Sequence, residues 1–460
     1  MSRRIYSVFA LSLMIVAAAS QAQTLTVLHI FGGPDGNNPR SGLVQGKDGY
    51  FYGTTPNGGA SSVGMVFRIS SSGAFTNLYS FSYPTGALPY AALVQGSDSN
   101  FYGTTISGTG NNNHGTVFRI SPSGALTNLY GINTNGSDGD NPEGALVQGT
   151  DGNFYGTMGS DGDTNANRNF DGTVFRISSS GIFTNLHHFP IAGGFDGNVP
   201  LAGIIQASDG YFYGTTVYGG TNAAGTVFKI SSTGTLTTIY NFSGGSDGRG
   251  PLAKLVQGTD GWFYGSTSGG TTGTVFRISS TGAFMVLHTL PPWGSDTPGA
   301  ALVEGSDGWF YGAYAAGGVN NSGMVFRISS SGTFSTLYSF SGPDGAFPQG
   351  TLVRGSDGWL YGTTYWGGNS CNCGTVFKFS APPSVPPDQI SAIQLSGTNI
   401  LITLPSSGAN TYQLQYRNSL TSGNWTNLGG SISNMSGSQV VTNFGGALLP
   451  QRFYRFEIAP

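Results

Sequence analysis

The chain has 460 residues, of which only 8% are charged, 13% are aromatic and 76 are glycine. Its formal net charge of −3 leaves no basic surface for phosphate groups, which argues against a nucleic-acid partner. Disordered chains are rich in charge and poor in aromatic residues, so this composition indicates a folded protein of short strands and tight turns.

The N-terminus has the features of an export signal. Two arginines precede an apolar stretch from Val8 to Ala19, and Ser20-Gln21-Ala22 is typical of a cleavage site. The sequence therefore predicts a signal peptide over residues 1–22 and a mature chain that begins near Gln23. No later apolar stretch reaches the roughly 18 residues that span a bilayer. We expect a secreted, cell-surface or periplasmic protein without a membrane-spanning segment after cleavage.

Two phrases recur seven times along the chain. The first has the form Leu-Val-Gln-Gly followed by Tyr-Gly-Thr-Thr, and its copies begin at Leu43, Leu93, Leu146, Ile204, Leu255, Leu302 and Leu352. The second has the form Gly-Thr-Val-Phe, and its copies begin at Gly64, Gly115, Gly172, Gly225, Gly273, Gly323 and Gly374. Spacings of about 47 to 58 residues indicate that each copy is one structural unit.

The fifth copy illustrates the strands expected in each unit. Apolar and alternating segments predict strands at Ala253 to Gln257, Trp262 to Thr267, Thr274 to Ile278 and Phe284 to Leu290. Such short strands cannot bury both faces alone, whereas radial stacking of four-stranded antiparallel sheets covers each face with a neighbour. The predicted fold class is therefore all-β, a seven-bladed β-propeller over residues 23–380.

The two ends of the repeat array predict how the ring closes. The seventh copy breaks off after Phe379 and lacks its fourth strand, while the segment Thr24 to Phe31 is a spare strand that matches Phe75 to Phe81. We therefore expect the N-terminal strand to complete blade seven. An open solenoid would instead carry atypical capping repeats at its ends.

The two phrases also carry a family resemblance. Gly-Thr-Val-Phe at Gly115–Phe118, Gly172–Phe175 and Gly225–Phe228, paired with Asp-Gly-x-Phe-Tyr-Gly-Thr-Thr, resembles the GloVer tandem-repeat family of bacterial exported or surface proteins. Members of that family differ in their C-terminal anchoring tails, hence the description "choice-of-anchor". The resemblance covers about residues 24–380 and implies no activity and no catalytic residues. This chain departs from the family in ending with a small domain rather than a hydrophobic tail.

A linker rich in proline and serine, residues 381–387, separates the repeats from that domain. Residues 388–460 alternate in the manner of β-strands, and Trp425 is the expected core anchor. About seventy residues of this kind suit a small fibronectin-like or immunoglobulin-like β-sandwich. Adhesion, attachment and spacing remain open as its role.

Loop lengths predict the face of the ring that binds a ligand. In antiparallel four-stranded blades, the loops between the second and third strands share a face with the blade-to-blade loops, and here this set is long and variable. Variable loops on a rigid scaffold are the usual place for binding sites. The candidate ligand-binding residues are Asn111, Asn112, Asn113, His114, Arg168, Tyr218, Tyr365 and Trp366.

Repeated polar and aromatic residues are interpreted as scaffold. An aspartate precedes glycine in most copies of a tight turn, at Asp48, Asp98, Asp151, Asp209, Asp260, Asp307 and Asp357. A tyrosine recurs at one strand position in every copy, at Tyr52, Tyr102, Tyr155, Tyr213, Tyr264, Tyr311 and Tyr361. Aromatic packing between blades is a commoner use of such a series than sugar binding.

Two smaller features suggest a metal site and a disulfide. Asp161, Asp163, Asn165 and Asp171 place oxygen ligands at intervals that can surround Ca²⁺, although the loop lacks the pattern of an EF-hand and also reads as a solvated insertion. Cys371 and Cys373 are the only cysteines in the sequence, and either a small local disulfide or two free thiols fits their spacing. No other cofactor is implied.

These observations favour a non-catalytic exported protein that binds a carbohydrate or a protein on the long-loop face. The five histidines are scattered, two glutamates lie outside the C-terminal domain, and no nucleophile elbow or phosphate-binding loop is present in the sequence. An exported polysaccharide hydrolase or lyase and a structural component of the cell envelope remain as alternatives.

Overall fold

The computed structural model describes residues 23–108, 114–132, 138–160, 172–190, 195–269, 273–290 and 301–380, and six strands between residues 392 and 459. Residues 24–380 form seven four-stranded antiparallel sheets, each of them a blade of a β-propeller. The predicted fold class and number of blades are confirmed. The first strand of the chain is β1 (Leu25–Ile30).

The first three blades follow in chain order. Blade one comprises β2 (Val44–Gln45), β3 (Phe51–Thr55), β4 (Met65–Ile69) and β5 (Phe75–Ser80). Blade two comprises β6 (Val94–Gln95), β7 (Phe101–Thr105), β8 (Thr116–Ile120) and β9 (Leu126–Gly131). Blade three comprises β10 (Val147–Gln148), β11 (Phe154–Met158), β12 (Thr173–Ile177) and β13 (Phe183–His188).

The remaining blades repeat this order. Blade four comprises β14 (Ile205–Gln206), β15 (Phe212–Thr216), β16 (Thr226–Ile230) and β17 (Leu236–Asn241). Blade five comprises β18 (Val256–Gln257), β19 (Phe263–Thr267), β20 (Gly273–Ile278) and β21 (Phe284–Leu290). Blade six comprises β22 (Leu302–Glu304), β23 (Phe310–Tyr314), β24 (Met324–Ile328) and β25 (Phe334–Ser339). Blade seven comprises β26 (Val353–Arg354), β27 (Leu360–Thr364) and β28 (Thr375–Phe379), completed by β1.

The N-terminal strand closes the ring as predicted. β1 pairs antiparallel with β28, from Leu25 opposite Phe379 to Ile30 opposite Thr375. Leu28 packs against a core cluster shared with blade one, so the strand also contributes apolar contacts to the next blade. The N-terminal segment, which leads into blade one, is thereby joined to blade seven by a ladder of backbone hydrogen bonds.

The innermost strands are shorter than the sequence predicted. In blade five the ladder begins at Val256 rather than Ala253, and the second strand begins at Phe263 rather than Trp262. Ala253 and Leu255 are nevertheless buried. The apolar alternation that predicted a longer strand therefore arises from packing between blades and not from ladder pairing.

Neighbouring blades pack through a buried tyrosine on a phenylalanine. The tyrosine of each second strand stacks on the first phenylalanine of the second strand in the next blade. The pairs are Tyr52–Phe101 and Tyr102–Phe154 at 3.9 Å between ring centroids, Tyr155–Phe212 at 4.0 Å, Tyr213–Phe263 at 4.1 Å, and Tyr264–Phe310 and Tyr361–Phe51 at 3.8 Å. At the seventh joint Tyr311 shares a cluster with Leu360 instead. These rings form the core, as the sequence predicted.

The same tyrosines explain the repeated aspartates. Each tyrosine hydroxyl donates a hydrogen bond to the aspartate four residues earlier, for example Tyr102 to Asp98 at 2.8 Å and Tyr155 to Asp151 at 2.7 Å. The same aspartates accept a bond from the backbone two residues later, as Asp98 does from Asn100. The interpretation of these residues as scaffold is confirmed, since the aspartate gives each buried tyrosine a partner for its hydroxyl.

A second set of contacts joins the blades on the side of the short turns. The glutamine that ends each innermost strand accepts a backbone hydrogen bond from the first turn of the preceding blade, as Gln95 does from Lys47 at 3.0 Å. Glu304 takes this place in blade six, accepting from Thr259. Arg354 takes it in blade seven and has no acceptor to offer. The glutamine of the repeated phrase is therefore a link between blades.

The C-terminal residues contain two three-stranded antiparallel sheets. Their strands are β29 (Ala392–Ser396), β30 (Asn399–Leu404), β31 (Thr411–Arg417), β32 (Thr426–Asn427), β33 (Gln439–Asn443) and β34 (Phe453–Ala459). One sheet has the order β29-β30-β33 and the other β32-β31-β34. A β-sandwich remains a prediction, and the signal peptide and the linker lie outside the described residues. Among the described residues, no helix is long and apolar enough to cross a membrane.

The closing strand provides a test of ring closure in the full-length mature chain. Leu28→Asp should lower the free energy of unfolding by about 3 kcal/mol or more, because it places an unpaired charge in the cluster shared by blades one and seven. Thr26→Asp is the matched control, since Thr26 is exposed on the same strand, and should change stability by roughly 0.5 kcal/mol at most. Equal urea denaturation midpoints for the two variants would contradict a stabilising role of β1 in closing the ring.

The tyrosine–aspartate bond predicts an acid-sensitive scaffold. Burial opposes ionisation of Asp98, but hydrogen bonds from Asn100 and Tyr102 outweigh it and hold the pKa of this carboxyl below its usual range. A lowered folded-state pKa stabilises the fold above the unfolded pKa of about 4, and this contribution is lost as the pH falls through the folded pKa.

Tyr102→Phe keeps the ring stack and removes that bond. It should cost about 1–2 kcal/mol near pH 7 and less as the pH falls through the pKa of Asp98. Urea unfolding of the variant and the unaltered chain at several pH values measures this difference. A loss of unfolding free energy that does not change with pH would show that the Tyr102 hydrogen bond is independent of the ionisation of Asp98.

Candidate functional site

The long-loop face is formed by the blade-to-blade loops and by the loops between second and third strands. Antiparallel pairing within every blade puts both sets at the same end of the ring. Short bridges join the two sets, such as Asn198 with Tyr218 and Ala346 with Trp366. The predicted division of the loops is therefore confirmed, and the two sets form one continuous surface.

In the described blade-to-blade loops, the residue before the proline has a left-handed backbone conformation. This residue has φ between 55° and 59° at Asn38, Leu88, Asn141, Val199 and Phe347. Such a conformation is costly for a branched side chain, so surrounding contacts must stabilise it. At Leu88 the backbone N–H donates to Val63 of the preceding blade, and the carbonyl accepts from Ile106 of the following blade. The turn thus fixes the next residues of the loop against two blades.

The residues that follow the proline line a cavity at the mouth of the central channel. Its volume is about 160 Å³, and every blade contributes to its wall. The polar side chains in the wall are those of Arg40, Tyr90, Glu143, Lys254 and Gln349, together with Ser41 and Thr351. A second cavity of about 460 Å³ lies further along the innermost strands, and Lys254 lines both. Lys254 therefore stands at the boundary between the mouth and the deeper channel.

Arg40 is held in place by aromatic rings and an amide. Its guanidinium carbon lies 4.8 Å from the ring centre of Tyr90 and 5.9 Å from that of Tyr365. Its Nε donates to Oε1 of Gln349 at 3.3 Å. Stacking of this kind suits the planar guanidinium and leaves its terminal nitrogens available for hydrogen bonds with a ligand.

Burial shifts the pKa of the other two charged groups of the cavity, Glu143 and Lys254. Burial raises the pKa of Glu143, and the positive charge of Arg40 partly opposes this effect. Burial alone lowers the pKa of Lys254 to about 8. Among the described residues, all ion pairs closer than 4.0 Å involve histidine, so Lys254 has no acidic partner there.

The predicted ligand residues fall into three groups. The ring centre of Tyr365 lies 5.9 Å from the guanidinium carbon of Arg40, but Tyr365 is not part of the cavity wall. Tyr218 and Trp366 lie on the same face with exposed fractions of 42% and 41%, but they are not part of the cavity wall. His114 is half-buried, and its Nδ1 lies 3.2 Å from Oδ2 of Asp140.

Several other predictions fall outside the described residues. They concern the ligand candidates Asn111, Asn112, Asn113 and Arg168 and the calcium set Asp161, Asp163, Asn165 and Asp171. Within the described part of the chain, no group of three His, Cys, Asp or Glu side chains is placed to hold a metal ion.

The two cysteines and the fourth-strand histidines have local structural contacts. Cys371 and Cys373 are joined by a disulfide, and the carbonyl of Cys373 accepts from Asn38 near the turn that precedes Arg40. His29 stacks on Phe75 at 3.9 Å, and His288 stacks on Phe334 at the same distance. The prediction that these histidines serve packing agrees with both contacts.

The three charged residues of the cavity, Arg40, Glu143 and Lys254, were not identified from the sequence. The signal that identifies them is a comparison of the seven copies by column. The residue after the proline is Arg40, Tyr90, Glu143, Leu201, Leu252, Gly299 and Gln349 in turn. Two residues later the column contains glycine, alanine or threonine except at Lys254. A position that varies among the copies of a regular repeat is one where the fold does not require a particular side chain.

A sequence profile described as the Gloeobacter/Verrucomicrobia repeat matches residues 14–205, 92–272, 164–377 and 269–413. These overlapping matches together include most of the chain. The chain belongs to the Gloeobacter/Verrucomicrobia repeat family. The resemblance inferred from the repeated phrases is thereby confirmed. A search of curated proteins gave no match to this Gloeobacter/Verrucomicrobia repeat chain.

Solved structures share its fold at low identity. A fungal alcohol oxidase in complex with copper is 12% identical with a TM-score of 0.50, covering 94% of this chain and 92% of its own. The extracellular domain of a B. thetaiotaomicron protein described as a one-component system is 12% identical with a TM-score of 0.49, over 93% of this chain and 55% of its own. A Bacteroides uniformis protein described as a 6-phosphogluconolactonase is 14% identical with a TM-score of 0.47, over 87% and 100%. At these identities the likeness shows the fold alone.

The lowered pKa of Lys254 predicts its chemical reactivity. Only a neutral amine is acylated. At about pH 7 the neutral fraction of Lys254, and with it the acylation rate, should exceed that of an ordinary lysine on the order of 100-fold. Acetylation with acetic anhydride, followed by mass spectrometry, should be compared with a single-lysine peptide in the same tube. The ratio of the Lys254 rate to the peptide rate should fall between about pH 7 and pH 10. A ratio independent of pH would show that the pKa of Lys254 is ordinary, whatever its accessibility.

Proposed function

We propose that this protein is an exported, non-catalytic binding protein that holds a carbohydrate on the long-loop face of the propeller. The observation that carries the proposal is the cavity at the mouth of the central channel, where polar side chains from different blades converge beside aromatic rings. Concave sites with a few oriented polar groups are the usual form of small-ligand sites.

The chemistry of the wall supports a carbohydrate over a protein ligand. Tyr90 and Tyr365 flank Arg40, and aromatic faces next to fixed hydrogen-bonding groups suit the apolar faces and hydroxyls of a sugar. Gln349 and Thr351 add neutral donors and acceptors. A cavity of about 160 Å³ has room for roughly five water molecules at ~30 Å³ each, which suits the end of a glycan chain.

One observation favours the alternative of a polysaccharide hydrolase or lyase. Glu143 has a raised pKa inside the cavity, and a carboxyl of this kind is typical of a general acid. A paired-acid hydrolase needs a second carboxyl group, and Glu143 is the sole carboxyl group among the described residues of the wall. The wall therefore supports binding better than hydrolysis.

The site of action rests on the N-terminal sequence. Cleavage of a signal peptide after Ala22 would release the mature chain outside the cytoplasm. The C-terminal strands would then serve as an attachment or spacing domain beside the propeller.

A glycan array tests the binding proposal with the full-length mature protein. Tyr90→Ala should reduce binding to the glycans retained by the unaltered chain by about fivefold, because Tyr90 lines the cavity and an aromatic contact with a ligand contributes on the order of 1 kcal/mol. Tyr211→Ala is the matched control, since Tyr211 is 40% exposed but lies in a short turn on the opposite face. It should leave binding unchanged.

Other outcomes of the array distinguish the alternatives. Shortened or unsaturated products released from a polysaccharide would replace the binding proposal with the hydrolase or lyase. An array without any bound glycan, combined with no product, would leave the role of a structural envelope component.

A further inference from the structure

The charges of the central cavity are not balanced among the described residues. Arg40 and Lys254 each carry a positive charge when ionised, and Glu143 carries the single negative charge of the described wall. The raised pKa of Glu143 makes its negative form less stable than that of an ordinary glutamate. The cavity therefore has an excess of positive charge in a chain whose overall net charge is −3.

Lys254 differs more than any other cavity residue from the residues at the same position of the other copies. The equivalent residue in the other copies is glycine, alanine or threonine, and the scaffold closes without a longer side chain there. A desolvated ammonium without a counter-ion destabilises the fold. The contacts of the ring itself therefore do not account for a lysine at this position.

The other lysines of the chain have different surroundings. All four lysines lie in the described residues. Lys229 and Lys378 lie over the rings of Tyr211 and Trp359, and Lys47 donates to a backbone carbonyl. These three are outside the channel, whereas Lys254 lines both cavities within it.

Arg40 provides a second and directional cation. The rings of Tyr90 and Tyr365 and the amide of Gln349 fix the plane of its guanidinium. Two parallel N–H groups of a fixed guanidinium match the two oxygens of a carboxylate. A planar monoanion fits this arrangement better than a phosphate, because the wall also presents the carboxyl group of Glu143, which repels a second negative charge.

We propose that the central cavity recognises an acidic sugar, a uronic acid at the end of a glycan chain, through Arg40 and Lys254. This inference rests on the proposed carbohydrate-binding function and specifies its ligand class. The sugar carboxylate supplies the counter-ion that Lys254 lacks among the described residues. Tyr90 then borders the sugar ring, and Glu143 and Gln349 are available to its hydroxyls.

Titration calorimetry on the full-length mature protein tests this ligand class. The probes are short oligomers of galacturonic and glucuronic acid, the neutral oligomers of galactose and glucose with the same linkages, and inorganic phosphate. One charged hydrogen bond in a protein corresponds to roughly a 10- to 100-fold change in affinity. The acidic oligomers should therefore bind at least about 10-fold more tightly than their neutral counterparts.

Lys254→Met separates the charge from the shape of the side chain. It should remove most of the preference for acidic oligomers and leave the affinity for neutral ones within about twofold. The variant should fold, because an apolar side chain of similar length replaces a desolvated ammonium, and urea unfolding at unchanged or higher denaturant checks this. Lys229→Met is the matched control, and both affinities should stay unchanged.

Each other outcome has a defined meaning. Neutral oligomers that bind as tightly as acidic ones would overturn the inference and leave the carbohydrate-binding function intact. Retention of the acidic preference in Lys254→Met would overturn it in the same way. Phosphate that binds as tightly as the acidic oligomers would show a general anion site and also overturn it. Binding of no sugar would overturn both proposals.

Discussion

The stack of a tyrosine from one blade on a phenylalanine of the next is the contact on which the ring depends. The face of the tyrosine ring packs on the neighbouring blade, and the tyrosine hydroxyl donates a hydrogen bond to an aspartate of its own blade. A single side chain therefore stabilises both the joint between two blades and the fold of one blade. Because this joint recurs around the ring with similar spacing, it sets a common angle between blades. The width of the central channel follows from that angle.

The joint also separates the scaffold from the site. The stacking rings, the aspartates and the linking glutamines occupy the second strands, the short turns and the ends of the innermost strands. The cavity is formed by the residues that precede the innermost strands, held by a left-handed residue and a proline. Charged groups such as Lys254 can therefore occupy the channel wall without disturbing the contacts between blades.

The fold was predictable from sequence because the scaffold residues repeat. Seven copies of two phrases determine the number of blades, and the missing strand after Phe379 determines how the ring closes. The limits of the innermost strands were not predictable, since burial between blades and ladder pairing leave the same apolar pattern at Ala253 and Leu255.

The site was less predictable for the opposite reason. Arg40, Glu143 and Lys254 each occur in one copy only and are separated by about a hundred residues along the chain, so no local motif contains them. Of the residues predicted from the variable loops, Tyr365 lies near Arg40 outside the cavity wall, and His114 lies against Asp140. Loop length indicated the face on which the cavity lies, but only the closed ring shows which side chains meet at its axis.

The turn that precedes each innermost strand has an evolutionary consequence. In the described loops it places the residue after the proline on the same circle around the axis, and the backbone bonds that hold the turn do not depend on the identity of that side chain. Under the proposed function, a substitution at one of these positions would change the side chains presented to a ligand without a matching change elsewhere. Duplication and exchange of whole blades would bring new side chains into the same circle, so that ligand specificity would diversify on one fold at little cost in stability.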